Sequence, residues 1–137
     1  MKRFLCILLA MVVLMTVVVP VMAAANEAAV TPRYSYIQTI QSSMSIGSLG
    51  LSSCGVACVV YGGSSIKVTA ALQQYNGSSW TTIKTWTTTS TTTSAGLNKN
   101  YAVPKGYTYR VRASCGVYNA NGTLLESGYI YSNQVVY

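Results

Sequence analysis

The stretch Tyr107-Thr108-Tyr109-Arg110-Val111-Arg112-Ala113-Ser114-Cys115-Gly116-Val117 decides the fold. Tyr107, Tyr109, Val111, Ala113, Cys115 and Val117 alternate with Thr108, Arg110, Arg112, Ser114 and Gly116. A period of two, with one apolar and one polar set, marks a strand that packs one side on a core and wets the other.

The same signal extends in both directions. Downstream, Asn121-Gly122 reads as a hairpin turn, and a last strand covers about Ser127–Val136. Upstream, Pro104-Lys105-Gly106 is a turn after a strand at Leu97–Val103. Thr87–Ser94 is almost pure Thr and Ser and suits either an extended edge strand or an exposed loop. Trp80–Thr87 is a fourth strand, entered through Asn76-Gly77. Ile66, Val68, Ala70 and Leu72 alternate inward along a third. Before the Gly62-Gly63 turn, Leu49–Tyr61 puts Cys54, Val56, Cys58 and Val60 on one face, and the first strand lies within Tyr34–Ile46. Nothing here has a helical period. About seven short strands with regular turns predict an all-β domain, an antiparallel β-sandwich, with a barrel as the alternative.

The chain opens differently. Met1-Lys2-Arg3 is followed by a 16-residue stretch, Phe4 to Val19, apolar except for Thr16, then by Pro20 and the small residues Ala23-Ala24-Ala25. A basic start, an apolar stretch and a small-residue end are the parts of a secretory signal peptide. A membrane span needs about 20 apolar residues, so a cleaved signal helix is favoured over an anchor. The organisation read from the sequence is a signal peptide at 1–25 with cleavage between Ala25 and Asn26, a flexible lead-in at 26–33 and a β-sandwich domain at 34–137. Contact with the membrane is expected only through the signal before cleavage, and the destination is secreted or cell-wall associated.

After residue 25 the chain has seven basic residues and only Glu27 and Glu126 as acids, a net charge of +5. The basic residues are scattered in sequence, without the cluster that marks nucleic-acid binding. A mild positive excess suits the neighbourhood of anionic wall polymers.

The inventory excludes several chemistries. There is no His and no Asp in the whole chain. Paired-carboxylate glycoside hydrolysis and Ser–His or Cys–His nucleophilic catalysis therefore lack their groups. The three cysteines after residue 25, without His or Asp, make a poor zinc site. No catalytic residue, cofactor or metal is expected. What remains is binding. With Ile83 facing inward, Trp80, Thr82, Lys84 and Trp86 would share the opposite face of the fourth strand, an aromatic-flanked polar stripe fit to stack on a sugar ring or dock a surface protein; the alternative is that one or both tryptophans cap the edge of the core.

Val103-Pro104-Lys105-Gly106-Tyr107-Thr108-Tyr109-Arg110-Val111-Arg112-Ala113 resembles fibronectin type III domains, in which a Pro-Gly turn precedes a Tyr-x-Val-x-Ala strand. Trp80-Thr81-Thr82-Ile83 is similar to a Trp-x-x-Val stretch of the same family. The resemblance implies an immunoglobulin-like sandwich with Tyr109 as a corner residue whose hydroxyl ties back to the preceding loop. Pro32-Arg33-Tyr34, Leu72-Gln73-Gln74 and Tyr107-Thr108-Tyr109-Arg110 also resemble small uncharacterised proteins exported by Gram-positive bacteria, notably Clostridia, which implies export and a sandwich but no mechanism.

Cys54 and Cys58, four residues apart on a strand, would be about 13 Å apart, too far for a disulfide. In an immunoglobulin-like sandwich the second and sixth strands cross the core in the same direction, so the resemblance favours a Cys58–Cys115 bridge. Cys54–Cys115 and three reduced thiols remain open. The leading expectation for function is a non-catalytic extracellular binding module for glycan or a protein partner. The alternatives are a small basic effector such as a bacteriocin or toxin, and a structural envelope component.

Overall fold

Alternating β-branched and polar residues produce eight strands in the computed structural model, which describes residues 33–137. The signal peptide at 1–25, the Ala25–Asn26 cleavage site and all but the last residue of the lead-in lie outside the described residues. The strands are β1 (Ile37–Ile46), β2 (Leu51–Val60), β3 (Ser65–Tyr75), β4 (Trp80–Ser90), β5 (Ser94–Ala102), β6 (Thr108–Tyr118), β7 (Leu124–Tyr131) and β8 (Val135–Val136). They form two antiparallel sheets, ordered β1-β2-β5 and β4-β3-β6-β7, with β8 pairing on β6 beyond the end of β7. This is a β-sandwich and not a barrel.

The inner faces are those the alternation marks. Cys54, Val56, Cys58 and Val60 on β2, Ile66, Val68, Ala70 and Leu72 on β3, and Tyr109, Val111, Ala113, Cys115 and Val117 on β6 are all buried. Tyr107 is the exception: it precedes β6 and is exposed. Each buried Val or Leu side chain contributes about 1.5–3 kcal/mol by leaving water.

Cys58 and Cys115 are bonded across this core with Cα atoms 6.3 Å apart, joining β2 to β6. Cys54 is a free, buried thiol. Burial raises its pKa, an effect reduced by a contact with the Ser52 hydroxyl, so it stays protonated and inert. The Tyr109 hydroxyl donates to the Pro104 carbonyl at 2.7 Å, which fastens the β5–β6 turn to the start of β6.

Two segments differ from the sequence reading. The Thr/Ser tract is strand, turn and strand in succession, since β4 runs to Ser90 and β5 begins at Ser94. The last strand is broken into β7 and β8 at Ser132–Gln134. There the buried Ser132 hydroxyl accepts the Val111 N–H at 2.9 Å and donates to the Asn133 carbonyl, so a side chain completes the ladder where the backbone turns away.

Candidate functional site

The expected stripe on β4 is split in two. Leu72 pairs with Lys84, but the next residue, Gln73, pairs with Thr82, so Ile83 is the extra residue of a β-bulge. A bulge changes the parity of the strand. Trp80 and Thr82, opposite Tyr75 and Gln73, face outward. Lys84 and Trp86, opposite the buried Leu72 and Ala70, turn toward the inner side. Trp86 packs against the core and meets Tyr101 of β5 edge-on at 6.2 Å, and Lys84 Nζ lies 5.9 Å from the same ring. These two residues therefore cover the open edge between the sheets. They do not form a common surface with Trp80 and Thr82.

Trp80 instead belongs to an assembly that spans the outer face of the β4-β3-β6-β7 sheet. The Arg110 guanidinium carbon lies 4.0 Å from the Trp80 ring centroid and 3.8 Å from that of Tyr131, so the group is held between two rings. Its Nε donates to Gln73 Oε1 at 2.8 Å, and Gln73 Nε2 donates to the Thr82 hydroxyl. Tyr131 meets Tyr129 edge-on at 5.7 Å, and Arg112 lies over Tyr129 at 4.3 Å. Tyr75 closes the other end, 5.1 Å from Trp80. Strand register causes this order. Arg112 stands opposite Tyr131 and Ser114 opposite Tyr129, while Arg110 stands opposite Gln73. Each cation–π pair contributes about 0.5–2 kcal/mol and fixes the plane of a guanidinium.

Next to this row lies a shallow depression of about 710 Å³, lined by Lys67, Thr69, Arg112, Ser114, Tyr118 and Tyr129 among others. Arg112 is its distinctive member. Its Nε is the one buried side-chain nitrogen or oxygen among the described residues that has no hydrogen-bond partner. A charged donor left unpaired away from water costs more than a neutral one.

No match to a protein-family model or to a curated protein was found for this chain.

Among the described residues no acid balances this face. Glu126 is the single Glu or Asp among the described residues. It stands opposite the buried Val117 and accepts the backbone N–H groups of Ser35, Tyr36 and Ile37 at 2.6–2.8 Å. Burial pushes its pKa upward, but the three backbone N–H bonds outweigh that and hold the carboxyl below its ordinary range. It anchors the segment entering β1. Among the described residues no group of three or more His, Cys, Asp or Glu could hold a metal.

Sequence reasoning missed two things here. The basic residues, scattered along the chain, are gathered by the fold: Lys67, Arg110 and Arg112 share one face. Tyr129 and Tyr131, exposed at 52% and 44%, are partners of those arginines. Alternation of Arg110 and Arg112 with buried residues was the available signal, but the pairing partners depend on register.

Proposed function

We propose that this chain is an exported, non-catalytic binding module that takes a glycan on the outer face of its β4-β3-β6-β7 sheet. The observation that carries the reading is the locked Trp80–Arg110–Tyr131 stack with Tyr129 and Arg112 beside it. Rings and guanidinium groups held in place lose little rotamer freedom on binding, which is how a solvent-facing surface is preorganised. The face offers hydroxyl, amide and N–H groups from Tyr, Thr, Gln and Arg, the donors and acceptors that sugar hydroxyls need.

Export is supported by the signal-like start of the chain, and a core disulfide suits an oxidising compartment. An immunoglobulin-like architecture of fibronectin type III kind is supported by the strand orders β1-β2-β5 and β4-β3-β6-β7 and by the Tyr109–Pro104 tie, while the link from second to sixth strand is an immunoglobulin feature. Non-catalysis is supported by the absence of His and Asp and the occupied carboxylate of Glu126.

A glycan microarray probed with the purified protein tests this. The expected result is selective retention that Trp80→Ala or Arg110→Ala removes and Trp86→Ala leaves largely intact. Retention indifferent to both outer-face substitutions would overturn the assignment of the face.

A further inference from the structure

Resting on that reading of the face, we infer that the depression at Arg112 is a subsite for an acidic group, a carboxylate or a phosphate, borne by the glycan. Lys67, Arg110 and Arg112 lie on this face, whereas Glu126 turns to the other side and spends both oxygens on backbone N–H groups. Among the described residues no side chain supplies a counter-charge there. Arg110 is already engaged by two rings and Gln73. Among the same residues Arg112 is engaged only by the Tyr129 ring, and its enclosed Nε has no acceptor.

A guanidinium held over a ring presents its remaining N–H donors as a fixed fork, the geometry that recognises a planar carboxylate or a phosphate through two parallel bonds. Lys67 supplies a second, mobile positive charge on the same depression, and Ser114 and Thr69 supply hydroxyls. The depression is within the size range of small-ligand sites, ample for one acid-bearing sugar. The inference favours a glycan over single-stranded nucleic acid because nucleic-acid sites run a positive groove along the backbone, whereas this face gathers three cations in one place.

The test measures binding of the purified protein to hexagalacturonate, to its full methyl ester, to phosphate-substituted dextran and plain dextran, and to a single-stranded oligothymidylate. The acidic sugar of at least one pair is expected to bind about tenfold or more tighter than its neutral counterpart. That preference should shrink as salt rises from about 0.05 M to about 0.5 M. The pair that responds tells carboxylate from phosphate. Arg112→Gln should remove the preference, and Arg112→Lys should not restore it, since an ammonium lacks the fork. Lys67→Gln, at an exposed position, should weaken acidic ligands severalfold and keeps the test valid if Arg112 variants fold poorly. Equal binding of acidic and neutral forms, still sensitive to Trp80→Ala, would overturn the acidic subsite and leave the binding face standing. Failure of every glycan to bind overturns both. Tighter binding of the oligothymidylate than of any glycan overturns the glycan assignment.

Discussion

The two outer faces of the sandwich have the same backbone geometry and opposite chemistry. On the β1-β2-β5 sheet the outward residues carry no charge and no aromatic ring: Gln41, Ser43 and Ser45, then Ser53, Gly55 and Ala57 between Leu51 and Val59, then Gly96, Asn98 and Asn100. On the β4-β3-β6-β7 sheet they include Trp80, Arg110, Arg112, Tyr129 and Tyr131 in mutual contact. Burying the core needs only the inner faces, so it does not account for the difference. The first face has its own depression of about 620 Å³, lined by Gln41, Ser43, Gly55, Ala57 and Asn98 among others, but no charged or aromatic side chain lines it. The second is built of large side chains that hold one another upright. That asymmetry is why one face is assigned to binding.

The largest effect separates what the faces share from what they do not. Replacing Cys58 and Cys115 together by Ser opens a bridge that spans 57 residues, worth about 4 kcal/mol in the chain-entropy model. Chemical denaturation should show that loss. At temperatures where the variant stays folded, both outer faces should keep their properties, because both cysteine side chains are buried.

A smaller effect sharpens the contrast directly. Arg110→Ala removes a guanidinium from between two rings and should cost about 1–2 kcal/mol, while Asn98→Ala on the opposite face should stay within about 0.5 kcal/mol. Equal costs in matched unfolding curves would mean that the stack is not a structural unit.

The smallest effect lies at the edge shared by the two sheets. The folded pKa of Glu126 is depressed, so its anchoring contribution is present above the unfolded carboxylate value of 4.5 and is lost as pH falls through the lower folded value. The stability gap between the native protein and Glu126→Gln should be constant near neutrality and shrink in acid. A gap that widened in acid would contradict the hydrogen-bond pattern.

The inner faces were legible in the sequence because strict alternation on β2, β3 and β6 leaves one solution for what is buried. The stripe on β4 was not, because a single bulge at Ile83 reverses the side of every residue after it and no residue type there announces one. The break at Ser132 was hidden for a related reason: a serine there reads as an ordinary outward position, and only the ladder reveals that its hydroxyl replaces a backbone partner. The row of arginines and tyrosines was half legible. Arg110 and Arg112 face outward by parity, but their meeting with Trp80, Tyr129 and Tyr131 comes from strand order and register, which are non-local.

The most direct measurement is a backbone amide chemical-shift titration of the protein with hexagalacturonate. The account predicts that the perturbed residues cluster around Lys67, Thr69, Gln73, Arg110, Arg112, Ser114, Tyr129 and Tyr131, with Gln41, Ser43, Gly55 and Asn98 unmoved. Perturbations centred on the β1-β2-β5 face would contradict it.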